Sequence, residues 1–189
     1  MRRIVVFLFF LWNIQTLNAH DVFAGIKFFG LSVHPTGANN AQHMPLKFDR
    51  NGIFVVNTGI SINIEYVVFK DIISIKFVQG LYADCVRKFG GFTHLGFRIR
   101  IFAIGRHSLN GGIGPTFIYR RNWHSLDDYD DSFDFFRGKP GDTWQRRFLW
   151  YGGEFEYNFA LHEKIALSTS FIPGFPDLLN VSFGFRVRL

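Results

Sequence analysis

A single cysteine, Cys85, occurs in the whole chain of 189 residues, so no internal disulfide can staple the fold. Beyond Ala19 no apolar run approaches the roughly 20 residues that a membrane-spanning helix needs. Cations do not cluster either. The formal net charge is +6, but Lys and Arg are scattered through strand-like segments, which excludes a nucleic-acid footprint. Low-complexity linkers and internal domain boundaries are also missing. What the chain has in excess is apolar surface: 48% of its residues are hydrophobic and 25 are Phe. One soluble domain of this length offers too small a core for so many aromatic rings. A barrel set in lipid resolves the conflict, because its outer face is apolar too.

The N-terminus reads as an export signal. Arg2 and Arg3 precede the apolar run Ile4–Trp12, and Leu17-Asn18-Ala19 supplies a small-residue exit. Residues 1–19 are therefore expected to be a signal peptide used for Sec export, cleaved after Ala19, and residues 20–189 the mature domain. The apolar run is too short to serve as a membrane anchor. No cysteine follows the cleavage site, as a typical lipoprotein would require.

Period-2 alternation dominates the rest. In the last segment Val181, Phe183, Phe185, Val187 and Leu189 alternate with Ser182, Gly184, Arg186 and Arg188. In Phe92–Ala103, Leu95, Phe97, Ile99 and Ile101 oppose His94, Gly96, Arg98 and Arg100. In Phe148–Leu161, Tyr151, Phe155, Tyr157 and Phe159 oppose Gly152, Glu154, Glu156 and Asn158. The segments Ile53–Phe69, Ile72–Ala83, Leu109–Tyr119 and Ile165–Phe171 alternate in the same way, and Val22–Val33 alternates too poorly to assign its faces. That predicts eight strands. Short turns are expected at Lys70-Asp71, Gly105–Ser108 and His162–Lys164. Longer loops are expected at about His34–Asn51, Asp84–Gly91, Asn122–Arg146 and Pro173–Asp177, all on the opposite side.

With that pattern the chain resembles the small eight-stranded outer-membrane β-barrels, the architecture of the OmpA membrane domain and OmpX. The resemblance covers about residues 20–189 and rests on architecture, with no residue-level motif. It implies an all-β, antiparallel, up-and-down transmembrane barrel in the outer membrane of a Gram-negative-type bacterium. Its implied partners are outer-membrane lipid and lipopolysaccharide, and the protein is expected to be monomeric. The amphipathic last strand resembles the signal read by barrel-assembly machinery, although it ends on Leu189 where that pattern usually has an aromatic residue. A soluble barrel of lipocalin type is the alternative. The membrane reading is preferred because the polar phase carries charges of both signs, is rich in glycine, and faces away from a surface heavy in Phe and Tyr.

Two groups of residues invite a functional reading. Arg98, Arg100, Glu154, Glu156, Arg186 and Arg188 share the polar phase, and a narrow eight-stranded barrel would bury them as a charge network in its lumen. The loop Asn122–Asp134 gathers His124 and Ser125 with Asp127, Asp128, Asp130 and Asp131. Its carboxylates are candidates for a divalent cation, such as one bridging lipopolysaccharide phosphates. His124, Ser125 and Asp127 are the components of a hydrolytic constellation. The small barrels PagL and PagP, which modify lipid A acyl chains, resemble this chain in size, which makes an acyl hydrolase or transferase the second reading. The PagL pattern of His, any residue, Ser, Asn is met only by His107-Ser108-Leu109-Asn110, in a different spacing and at a predicted turn. The first reading is a barrel with a structural or surface-interaction role and no enzymatic activity.

Overall fold

The computed structural model describes residues 21–35, 37–132, 135–174 and 178–189; the expected signal peptide lies outside the described residues. Eight strands follow in order: β1 (Val22–Val33), β2 (Phe54–Phe69), β3 (Ile73–Ala83), β4 (Phe89–Ile104), β5 (His107–Arg121), β6 (Trp144–Ala160), β7 (Ile165–Gly174) and β8 (Leu178–Arg188). Each pairs antiparallel with the next, and β1 pairs with β8 to close the barrel. Closure leaves no free sheet edge of the kind that invites aggregation.

Alternation decides the two faces. On β2, Ile60, Ile62 and Ile64 point outward while Ser61, Asn63 and Glu65 are buried inside. On β4, Leu95, Phe97 and Ile99 point outward and His94, Gly96 and Arg98 inward. A bulge adds a residue to β6 between the partners of Gly114 and Thr116, so Trp150 and Tyr151 both face outward. The outward apolar phase of β5 runs from Leu109 to Tyr119. At about 3.3 Å per residue and a tilt near 40°, that band is about 25 Å tall.

Glycine makes the narrow interior fit. A Cβ on Gly112 would stand 2.8 Å from Arg98 Cγ, and one on Gly184 would stand 2.0 Å from the Ile26 carbonyl oxygen. Lys70 and Asp71 both have positive φ, the turn handedness that matches strand twist at the β2–β3 hairpin.

Several boundaries differ from the sequence reading. β4 begins at Phe89 and β6 at Trp144, because pairing with β5 continues to Gly90↔Arg120 and Arg121↔Trp144. The loops between them are correspondingly Asp84–Lys88 and Asn122–Thr143. His107 and Ser108, expected in a turn, are the first residues of β5 and pair with Ile104 and Ala103.

Candidate functional site

The interior is built in two layers beneath a cap. The layer nearer the short turns is polar. Lys27, Lys76, Arg98 and Arg186 face Glu65, Glu154 and Glu156, four cations against three carboxylates among the described residues. Glu156 is the hub: Lys27 and Lys76 donate to it, and Arg98 Nη2 donates at 3.0 Å. Lys76 also reaches Glu154, and Arg98 Nη1 reaches Glu65 at 2.7 Å. Arg186 joins Glu65 at 3.0 Å, with its guanidinium 3.4 Å from the Phe23 ring centroid. The Ser170 hydroxyl accepts from Lys27 at 3.0 Å and contacts Ser182 at 2.8 Å. Buried charges persist only when paired, and every charge of this network has an oppositely charged neighbour within ion-pair distance.

Four of the six expected lumen charges thus lie in one network: Arg98, Glu154, Glu156 and Arg186. The other two do not enter it. Arg188 sits at the rim and pairs with Asp21. Arg100 is half-buried below the hub, beside a register shift that separates it from Phe102. Lys27, Lys76 and Glu65 were missed as members. Lys76 and Glu65 already stood in the polar phase of their strands and could have been found. Lys27 could not, because β1 gave no readable phase.

The layer above is apolar: Val78, Tyr82, Phe92, Ile118, Leu149 and Ile172 pack together inside the barrel, with Phe135 and Phe136 from the long loop against them. A second apolar cluster of Met44, Val55, Cys85 and Trp123 lies under the loops. Between the clusters, the Arg120 guanidinium stacks 3.7 Å from the Trp123 ring centroid and 4.1 Å from that of Phe136. Its Nε donates to Gln145 at 2.9 Å, and Nη2 donates to the Tyr129 hydroxyl at 3.1 Å. Trp123 Nε1 donates to Asp84 at 2.8 Å. The first and third long loops are tied by Asn40 and Asp130, each side chain or backbone serving the other at 2.7 and 2.9 Å. Burial raises the Asp84 carboxyl above its ordinary range and pushes the Cys85 thiol up to about 12. Burial, aided by the Arg120 charge, lowers His34 to about 4.

The expected catalytic constellation does not assemble. His124 Nδ1 lies 2.8 Å from Asn122 Oδ1, and its Nε2 lies 3.3 Å from Asp131. The Ser125 hydroxyl instead donates to the Asn122 carbonyl at 3.3 Å and accepts from Lys88. His124 and Ser125 are the central residues of a turn closed by the Leu126 N–H on the Trp123 carbonyl, and their side chains engage different groups, so Ser125 meets no histidine or carboxylate within the reach that nucleophile activation needs. Asp127 and Asp128 are exposed. Asp130 caps Ser132, whose N–H and hydroxyl donate to it at 2.9 and 2.5 Å. No group of three or more His, Cys, Asp or Glu side chains converges on a metal-sized site among the described residues.

A charged, ion-paired interior with Phe, Ile and Tyr on the outside is the reverse of a soluble barrel, which hides its apolar face. Phe97 and Phe28 are each 63% exposed, while Arg98 and Lys27 are each 1% exposed. The chain is a membrane-spanning eight-stranded β-barrel. No protein-family model matches the sequence, and no curated protein matches it. Solved barrels are similar in fold. One is the N-terminal barrel domain of Pseudomonas aeruginosa OprF, with 14% identity and a TM-score of 0.48 over 90% of this chain and 100% of that one. A second is Neisserial surface protein A, with 10% identity and a TM-score of 0.49 over 90% and 97%. A third is the attachment invasion locus protein Ail of Yersinia pestis, with 12% identity and a TM-score of 0.45 over the same shares.

Proposed function

We propose that this protein is a sealed outer-membrane barrel that presents its ordered loops at the cell surface, in a structural or surface-interaction role. The observation that carries this reading is the filled bore. A buried ion-pair network, an apolar layer and a loop cap succeed one another along the axis. Such an interior holds the loops in place rather than passing solute. The long connections all leave one end of the barrel, and both ends of the described chain lie at the other. An even strand count and short turns on the inner side are the arrangement of bacterial outer-membrane barrels. In this reading residues 1–19 direct export and the amphipathic β8 is recognised by the assembly machinery.

The test has three parts. The protein should fractionate with the outer membrane and migrate differently on a detergent gel before and after heating. An epitope tag after Asp131 should be reached by antibody on intact cells. In planar bilayers the purified protein should show no steady conductance. Recovery as a detergent-free monomer, a tag reached only after permeabilisation, or a persistent open channel would each overturn the proposal. The acyl-hydrolase reading finds no support in the separated His124 and Ser125 side chains. Lipid A recovered from cells with and without the protein should be identical by mass spectrometry.

A further inference from the structure

The outward face above the apolar band differs from one side of the barrel to the other. On β4–β6 it carries an aromatic cluster: Trp144 stands edge-on to Phe89 at 6.1 Å and to Tyr119 at 5.8 Å. The Arg121 guanidinium lies 4.6 Å from the Trp144 ring centroid. Arg146 is opposite Tyr119 on the neighbouring strand and lies between Trp144 and Phe148 on the outward phase of β6. Arg137 pairs with Arg146 through two backbone hydrogen bonds of 2.9 Å, which extends the sheet by one further short segment. Arg121, Arg137 and Arg146 are exposed, and none has a carboxylate within ion-pair distance among the described residues.

Arg137 and Arg146 line an open cavity of about 660 Å³ together with Lys139 and Trp144, and Arg121 stands beside it against the Trp144 ring. Two carboxylates also line it, and both are engaged. Asp142 accepts the Lys139 backbone N–H at 2.8 Å, and Asp131 faces His124. A net cationic cavity with an aromatic floor therefore stands open beside the barrel wall.

Its height identifies the occupant. Arg121 lies two residues beyond Tyr119, where the apolar band ends. At the barrel's tilt this is about 5 Å above the hydrocarbon edge. Aromatic rings mark the membrane–water boundary, and arginines just above them meet headgroups rather than acyl chains or bulk water. Guanidinium is also the group best shaped to grip phosphate oxygens in pairs.

We infer that the outward face of β4–β6 is a binding site for a phosphorylated glycolipid of the outer leaflet, with Arg121 and Arg146 gripping its phosphates and Trp144 packing under its sugar. The inference rests on the membrane orientation proposed above, with the long loops outward. A soluble polyanion would instead favour cations at loop tips. Here the two decisive arginines are strand residues, Arg146 opposite Tyr119 and Arg121 one outward position above it.

The test uses the full-length protein folded in detergent, with native mass spectrometry as the readout. The probes are lipid A bearing its phosphates, the same glycolipid with its phosphates removed, and a sulfated polysaccharide. Heat-modifiable migration is checked first on every variant, so a failure to insert, which would defeat the orientation as well, is seen before any lipid is added. Arg121 and Arg146 have no ion pair to lose among the described residues, so Arg121→Gln/Arg146→Gln should fold normally. The wild type should retain phosphorylated lipid A. The double variant and the dephosphorylated probe should each bind at least about ten-fold more weakly, as expected for lost charge-assisted hydrogen bonds. Arg50→Gln, at an exposed cation of the first loop, should bind as the wild type. Equal binding by the double variant, an equal loss in Arg50→Gln, or capture of the polysaccharide but not the lipid would overturn the inference.

Discussion

Replacing Glu156 with alanine removes the carboxylate that Lys27, Lys76 and Arg98 share. The three cations do not suffer equally. Lys76 keeps Glu154, and Arg98 keeps Glu65 and Glu154. Lys27 keeps only the Ser170 hydroxyl. The substitution therefore strands one ammonium in a site where its side chain is 1% exposed, a loss of about 3–5 kcal/mol for a broken buried pair. Lys27→Met alone should cost much less. Glu156 would keep two cationic partners, and the network would pass from four cations and three carboxylates to balance. The double variant Lys27→Met/Glu156→Ala should recover about 2 kcal/mol of the Glu156→Ala loss, within the range measured for contacting pairs. Rescue thus belongs to Lys27, not to Arg98 or Arg100, the partners that sequence phase alone suggests. Urea unfolding in lipid vesicles, followed by tryptophan fluorescence across the four proteins of the cycle, measures the coupling. A coupling within about 0.5 kcal/mol of zero, the additivity expected of independent sites, would refute the hub assignment.

Four further outcomes follow from the same structure. Ile113→Arg, at the middle of the outward band of β5 and 58% exposed, should lose about 2–4 kcal/mol, whereas Tyr157→Arg, beside His107 at the rim, should lose only about 0–1; equal costs in vesicle unfolding would contradict the depth assignment. Gly184→Val must push β1 from β8, since even a Cβ meets the Ile26 carbonyl, so a loss of about 3 kcal/mol or failure to reach the heat-modifiable form is expected. Cys85 should resist maleimide at pH 8 in the folded protein and take one equivalent after unfolding, because burial both shields the thiol and pushes it up to about 12. His34 has its folded pKa depressed to about 4 against an ordinary value of 6.5, so its contribution to the cap is present above pH 6.5 and is lost as pH falls toward 4. Trp123 fluorescence should report that loosening, and His34→Gln should reduce it.

The number of strands, the outward phase of most of them and the side on which the long loops lie were legible in the order of residues along the chain. A strand's side chains alternate with a period of two whatever its partners are, so Phe97, Ile99 and Ile101 declare one face without reference to any neighbour. The same alternation placed Arg98, Glu154, Glu156 and Arg186 on the hidden face. Which of the hidden charges meet is another matter, because pairing across the bore depends on shear and on local register. β1 shifts register between Phe29 and Leu31 on both of its edges, which breaks the alternation and conceals Lys27. A shift past Arg100 and the end of β8 keep Arg100 and Arg188 out of the hub. The apolar upper layer and the cap were likewise invisible. Arg120, Trp123 and Phe136 come from the end of β5 and the loop after it and Asp84 from the loop after β3, and pairing of β3 through β6 brings them to one end. Local periodicity is a property of the chain, whereas the meeting of Lys27 with Glu156, 129 residues apart, exists only once the sheet has closed on itself.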